Sequence, residues 1–255
     1  MSELTKVAVL GARGRMGTTV VAAVEGASDL IVHAALDLGD DLAGLRGADV
    51  AVDFTVPEAS PGNVAACMAA GVPVVVGTTG WTAQRLAALG SPATPVLIVP
   101  NFNIGAVLMM RFAELAAPWF ESIEVIELHH PDKHDAPSGT ARRTAERIAA
   151  ARTSNIAHLT DGHLTDAHTN PDATRSDASL EGARGAMVAG IPVHSIRVRG
   201  LVAHQEVLLG TVGETLSIRH DALDRAGFMP GVLLALRRVR ELTGVTVGLD
   251  GLLGL

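Results

Sequence analysis

Val7-Ala8-Val9-Leu10-Gly11-Ala12-Arg13-Gly14-Arg15-Met16-Gly17 carries four apolar residues into three glycines set three positions apart. The apolar run has the length and branched side chains of a buried strand. A helical pattern leaves the glycine turn and continues to about Glu25. Strand, glycine turn and helix in this order predict the opening unit of a parallel α/β sheet. The spacing is GxxGxxG, and it meets the same demands as the better known GxGxxG. Gly11 permits a tight turn, Gly14 lets backbone approach a pyrophosphate, and Gly17 lets helix and strand pack closely. A pyrophosphate would rest on the helix N-terminus, where unpaired N–H groups and the helix dipole favour negative charge. Gly11, Ala12, Arg13, Gly14, Arg15 and Met16 are therefore candidate dinucleotide contacts. An ordinary glycine-rich strand-to-helix turn has the same spacing, so the reading depends on residues further along the chain.

Further strands come at Ile31–Leu36, Asp49–Phe54, Val72–Val76 and Val96–Val99, with helical segments at Ser60–Ala70 and Thr82–Leu89. Continuous Val/Ile runs separated by helices predict a doubly wound, mostly parallel, Rossmann-like sheet covered on both faces. The pattern changes after Pro100. Ile104–Ala117 reads as a helix, Ile123–Leu128 as a strand and Ser138–Ala151 as a helix. Residues 153–186 are polar and turn-rich. Three strands come in quick succession at Ser195–Val198, Glu206–Thr211 and Thr215–Arg219, which predicts antiparallel pairing in a smaller α+β domain. Pro230–Leu242 is an apolar helix whose docking partner the pattern leaves open.

The composition suits this reading. The chain has 255 residues, 48% apolar and 18% charged, with a formal net charge of −7. No dense Lys/Arg run is present, which argues against nucleic-acid and membrane-surface roles. Cys67 is the single cysteine, so no intrachain disulfide forms, and its apolar surroundings predict a core residue. The N-terminus lacks a signal-peptide layout, and Val72–Val76 is strand-sized. The expectation is a soluble, cytoplasmic protein.

Asp37 strengthens the dinucleotide reading. It ends the second strand about 20 residues past the glycines, where a carboxylate accepts hydrogen bonds from adenosine ribose hydroxyls. That favours NADH. Arg13 and Arg15 favour a 2′-phosphate and hence NADPH; as plain surface charges they decide nothing. Gly77-Thr78-Thr79-Gly80 and Val99-Pro100-Asn101-Phe102-Asn103 come after later strands, at the edge where open α/β sheets bind ligands. Gly77, Thr78, Thr79, Val99, Pro100, Asn101 and Phe102 are candidates to line the cofactor, or plain turn residues.

The densest polar cluster is Glu127-Leu128-His129-His130-Pro131-Asp132-Lys133-His134-Asp135-Ala136-Pro137-Ser138-Gly139-Thr140. It starts at a strand end and runs into a helix. Successive strand residues face opposite sides, so His129 and His130 do different work. Lys133 suits a carboxylate, or the protonation of a nitrogen. Ser138, Gly139 and Thr140 can cap the next helix and offer donors to an anion.

Residues 127–141 resemble the signature of the dihydrodipicolinate reductase family, E-x-H-H-x-x-K-x-D-A-P-S-G-T-A, at every fixed position. The glycine loop, Asp53-Phe54-Thr55 with Pro57-Glu58, Gly77–Gly80 and Asn101-Phe102 also resemble the family in order and position. Gly200-Leu201-Val202-Ala203-His204-Gln205-Glu206 is similar to its actinobacterial members. The resemblance implies reduction of the dehydrated cyclic imine formed from 4-hydroxy-tetrahydrodipicolinate. A hydride from NADH or NADPH goes to ring C4, and a proton completes the reduction. It implies His129 as the acid/base residue, Lys133 as proton donor and anion partner, His130 in contact with substrate, and Gly139 and Thr140 at a substrate carboxylate; Ser138 beside them is a further candidate substrate contact. It implies a homotetramer joined through the substrate-domain sheet. It also implies a nucleotide domain of residues 1–103 with 222–255, and a substrate-binding and oligomerisation domain of residues 104–221.

Two places depart from the family pattern. The excursion at 153–178 is longer and repeats His158-Leu159-Thr160-Asp161 as His163-Leu164-Thr165-Asp166. Five-residue spacing does not align on a helix face, so no metal site is assigned. Arg225-Ala226-Gly227-Phe228 lacks the Ser or Thr that relatives often carry before the Phe. Another nicotinamide-dependent dehydrogenase of a small carboxylate is the main alternative. A non-catalytic NAD(H)-binding regulator is the next, though no basic helix-turn-helix segment accompanies it.

Overall fold

The run from Val7 to Leu10 lies inside a six-stranded sheet in the computed structural model of the chain, which describes residues 4–154 and 182–255. In chain order the first elements are β1 (Thr5–Leu10), α1 (Arg15–Glu25), β2 (Leu30–Leu36), β3 (Val50–Asp53), α2 (Ser60–Ala70), β4 (Val74–Val76), α3 (Ala83–Ala88) and β5 (Val96–Ile98). Then come α4 (Ile104–Ala116), β6 (Ser122–His129), α5 (Gly139–Ser154), β7 (Ala186–Val188), β8 (Ile191–Arg197), β9 (Ala203–Thr211) and β10 (Glu214–Ala222). The chain closes with α6 (Met229–Arg238), β11 (Val245–Val247) and α7 (Asp250–Leu253). It divides into two compact units, residues 1–104 with 225–255, and residues 105–224.

In the first unit the strand order is β11-β5-β4-β3-β1-β2, with every neighbouring pair parallel. The chain moves from β1 to β2 on one side and to β3 on the other. The crevice at that reversal, beyond the strand C-termini, is where open α/β sheets take ligands. Alternate strand residues serve opposite faces. Ala8, Leu10, Ala51, Val74, Val76, Val96 and Ile98 pack with Val64 and Cys67 of α2. On the other face α6 packs against α1 and β3. Strand β4 begins two residues later than the sequence predicts, since Pro73 has no N–H to extend it. Pro73 still accepts a bond from Ala51 N at 2.8 Å. Strand β11 escapes the sequence reading because three residues between Gly244 and Gly248 leave too short a pattern. The predicted helix Pro230–Leu242 is shorter, with its last turn tightened to a 3₁₀ turn at Val239–Glu241.

The second unit holds a five-stranded sheet of order β10-β9-β6-β8-β7. β9 pairs antiparallel with both β10 and β6. Of the three closely spaced strands expected to pair antiparallel, β9 and β10 do so, whereas β8 is not next to β9 and runs parallel to β6. Helix α5 lies between them in sequence, and a helical crossover returns the chain in the same direction. β8 also begins earlier than predicted. Ala189 and Gly190 both have positive φ, 50° and 83°, and join β7 to β8 as a two-residue hairpin. Gly190 and Pro192 resemble loop punctuation in sequence and concealed this hairpin. Ala141, Ala145 and Ile148 of α5 cover one sheet face through Ile123, Val125, Val193, Val207 and Leu209. Most of the histidine-bearing excursion at 153–178 lies outside the described residues.

Cys67 is fully buried. Burial pushes its thiol up to about 12, and the Asp53 carboxylate adds to the effect. Only the thiolate reacts with alkylating reagents. The native protein at pH 8 should therefore resist iodoacetamide, with modification at Cys67 appearing only in denaturant. Mass spectrometry of labelled native and urea-treated samples checks this; rapid native labelling would contradict the burial.

Candidate active site

In the first unit the candidate residues gather at the strand C-termini. Gly11 has φ 84°, and a Cβ there would meet the Phe54 carbonyl oxygen at 2.5 Å. A Cβ on Gly17 would lie 1.9 Å from the Gly11 carbonyl oxygen, so α1 can sit this close to the loop only with glycine. Gly14 is the N-cap of α1 and brings no side-chain oxygen, so no side chain caps the helix start. Backbone donors and helix dipole at such a terminus fit a pyrophosphate. Asp37 accepts the Arg13 backbone N–H at 2.7 Å, and its Oδ2 lies 3.3 Å from Arg13 Nε. Arg13 Nη2 also reaches Asp40 at 2.9 Å. Arg15 is exposed. A cavity lined by Leu10, Gly11, Asp37, Leu38, Leu42 and Asn63 opens beside these groups. Partly apolar walls with the Asp37 and Asp40 carboxylates at the rim fit an adenosine moiety.

The later loops are tied to β3. Gly77 N and Thr78 N both donate to the Asp53 carbonyl, at 2.9 and 3.2 Å. Thr78 Oγ1 accepts Thr55 N at 2.9 Å, while Thr79 is exposed. Val99 N donates to Val76 O at 2.8 Å. Pro100 is exposed, Asn101 Oδ1 accepts Asn103 N at 2.9 Å, and Phe102 packs on Phe54 with ring centroids 5.4 Å apart. Sequence reasoning assigned Asp53 no function. It is fully buried and accepts bonds from the Thr55 backbone N–H and hydroxyl, the Ser60 hydroxyl and Asn63 Nδ2.

In the second unit β6 delivers Glu127 and His129 to the face covered by α5. Glu127 is fully buried. One oxygen is hydrogen-bonded to His129 Nδ1. Arg197 of β8 grips both oxygens, Nη1 at 2.8 Å and Nη2 at 2.7 Å. Ser138 N donates to the same carboxylate at 3.2 Å. Burial pushes the Glu127 carboxyl up. The hydrogen bonds from His129, Arg197 and Ser195 outweigh it and hold the group at about 2. Lys133 Nζ pairs with Asp135 at 2.7 Å. Ser138 caps α5 by accepting Ala141 N at 3.2 Å, and Gly139 and Thr140 form the first turn. His130, one past the strand, is exposed.

Family models match nearly the whole chain: "Dihydrodipicolinate reductase, N-terminus" over residues 5–102 and "Dihydrodipicolinate reductase, C-terminus" over residues 105–253. The chain belongs to the dihydrodipicolinate reductase family. It is 54% identical over 263 residues to a 4-hydroxy-tetrahydrodipicolinate reductase of Streptomyces coelicolor, covering 100% of both chains. It is 54% identical over 257 residues to the Mycobacterium ulcerans protein of the same name, covering 98% of this chain and 99% of that one. A dipicolinate-bound dihydrodipicolinate reductase from Paenisporosarcina sp. TG-14 superposes with a TM-score of 0.79 at 35% identity, covering 97% and 99% of the two chains. Membership in this family makes the chain an NAD(P)H-dependent oxidoreductase of lysine and diaminopimelate biosynthesis.

The structure thus brings Gly11–Met16 together with Asp37, and separately His129 with the start of α5. Sequence reasoning missed Arg197, which stands 70 residues from Glu127 in the chain. It named Glu127 only as part of a signature, although a residue two before His129 shares its strand face.

Because the folded Glu127 carboxyl titrates below its ordinary value of 4.5, the stability it contributes is full above about pH 4.5 and is lost as pH falls toward 2. Glu127→Gln should flatten the dependence of melting temperature on pH across that window. At neutral pH it should cost about 3 kcal/mol, because Arg197 loses its buried partner. Melting curves from pH 2 to 7 measure both. An unchanged acid limb would show that this carboxylate does not govern acid stability.

Proposed function

We propose that this chain reduces the cyclic imine derived from 4-hydroxy-tetrahydrodipicolinate, and that His129 and Lys133 manage the protons. The observation that carries the reading is the Glu127–His129 bond beside a capped helix start, within a signature met at every fixed position. The bound nicotinamide supplies the hydride. Glu127 holds His129 at Nδ1, which leaves Nε2 as the atom that gives or takes a proton. Lys133, held by Asp135, offers a compact cation to a substrate carboxylate and a proton to the reduced centre. His130 touches substrate, and the N–H groups and hydroxyls of Ser138, Gly139 and Thr140 bind the second carboxylate at the α5 N-terminus. The dipicolinate in the Paenisporosarcina structure is a small planar dicarboxylate of matching chemistry.

Gly11–Met16, Asp37, Gly77–Thr79 and Val99–Phe102 hold the cofactor, within residues 1–103 and 222–255 as the nucleotide domain. Residues 104–221 serve substrate binding and oligomerisation. The sheet face turned away from α5 carries Ile126, Leu128, Ile196 and Leu208, with Ile196 and Leu208 exposed. Such a face supports a homotetramer built through this sheet. Among the described residues no helix is long and apolar enough to cross a membrane, which agrees with a cytoplasmic enzyme.

Lys133→Ala should lower turnover at least a hundredfold while leaving NADH affinity unchanged. The measurement is NADH oxidation in a coupled assay that generates the substrate in situ, with NADH binding followed by fluorescence. Unchanged turnover would remove Lys133 from the chemistry, and failure of pyridine-2,6-dicarboxylate to inhibit would remove the substrate class. Asp37→Ala should weaken NADH about tenfold and NADPH less, because it removes the ribose acceptor and frees Arg13 for a 2′-phosphate. Equal weakening of both cofactors, read by titration, would sink the ribose assignment.

A further inference from the structure

We propose that Glu127 and Arg197 form one positioning device, in which Arg197 offsets the charge of the buried carboxylate while Glu127 orients His129 through Nδ1. The inference rests on the reading of His129 as the acid/base residue. Its geometry is independent of that reading. Glu127 and His129 stand two residues apart on β6, and His129 is the register partner of Arg197 on β8. All three therefore share the face covered by α5. The guanidinium fork takes both carboxylate oxygens, a planar bidentate match that lysine cannot reproduce.

A fully buried carboxylate bound only to an imidazole would strongly favour the protonated ring, because the pair's attraction is little screened there. A ring held protonated cannot take a proton back. Arg197 supplies the compensating positive charge by taking both Glu127 oxygens. The ionisable groups acting on Glu127 are His129 and Arg197, and Asp135 acts on Arg197 in turn. Ser138 faces Glu127 from the start of α5 and Gln205 faces it from β9, both neutral. His204 of β9 points to the other side and is bound to Asp221 at 2.6 Å.

Arg197 also reaches the lysine. Its Nη2 donates to the Asp135 backbone carbonyl at 2.7 Å, while the Asp135 side chain holds Lys133 Nζ at 2.7 Å. One guanidinium therefore sets the positions of both proton-handling groups. Neither Glu127 nor Arg197 needs to touch substrate for this, and both are positioning residues.

The experiment is the pH profile of turnover for the wild type and for Arg197→Lys, Arg197→Met, Glu127→Gln and His129→Gln. Melting curves and NADH binding confirm folding. A histidine-labelled NMR titration reads the His129 ring directly in each folded variant. Arg197→Met should raise the proton affinity of the ring about tenfold or more, moving the His129 limb up by about one pH unit. Glu127→Gln should move it down. Arg197→Lys should return the limb to within about a threefold change in proton affinity while still losing turnover, because charge is kept and the fork is lost. Opposite displacements in the two opposite variants support the device. Equal activity losses with an unmoved limb and ring titration would overturn it and leave the pair purely structural. If Arg197→Met does not fold, Glu127→Gln and Arg197→Lys still decide: an unmoved ring in Glu127→Gln overturns the proposal. Should the limb survive in His129→Gln, the acid/base reading fails by itself, and the ring titration still decides whether Arg197 offsets the carboxylate.

Discussion

A carboxylate without access to water must find its charge balance inside the fold, and Glu127 shows how much structure that requirement organises. Arg197 comes from a different strand, His129 from two residues onward, and Ser138 from the start of a helix. Each partner fixes a separate element: the parallel pairing of β6 with β8, the ring at the end of β6, and the entry of α5. Buried ion pairs are poor sources of net stability, because desolvation consumes most of the Coulombic gain. What such a pair enforces is uniqueness of arrangement. A one-residue slip between β6 and β8 would leave two charges buried apart, a far larger penalty than the loss of apolar contacts.

The first unit meets the same constraint with neutral donors. Asp53 is also fully buried, yet among the described residues its partners are hydroxyls, an amide and a backbone N–H rather than a cation. Its backbone carbonyl receives the loop at Gly77 and Thr78. Both buried carboxylates thus sit near strand C-termini and hold the adjacent loops. They differ in what they leave behind. Asp53 yields a fixed wall, whereas Glu127 yields a ring whose second nitrogen stays available for chemistry.

The parallel sheet, β11 apart, is legible in the sequence because its strands are short apolar runs bracketed by turn residues, and Gly11 and Gly17 are required by backbone contacts that no other residue survives. The signature at 127–141 is legible because its chemistry is local. Arg197 is not, since its role exists only once β8 lies beside β6, and β-sheet register is not written in composition. The hairpin at Ala189-Gly190 is hidden for the opposite reason: its turn residues look like loop, while the strands on either side are too short or too interrupted by Pro192 to show alternation. Asp37 does lie just past the end of β2, but its bond to Arg13 changes the question posed by those two residues. They are not independent votes for two cofactors, because one carboxylate already occupies the arginine.

The 70-position separation of Glu127 and Arg197 also orders events in time. As the chain leaves the ribosome, β6 and the start of α5 emerge well before β8. Until Arg197 arrives, Glu127 lacks the guanidinium that takes both its oxygens, and closing the second sheet over it would bury an incompletely paired carboxylate. Closure of this unit is therefore tied to a long-range pairing, the slow class of folding step. A ribosome-bound fragment ending before β8 would expose the apolar face of α5, and chaperones that hold such surfaces would find this enzyme as a client late in its synthesis.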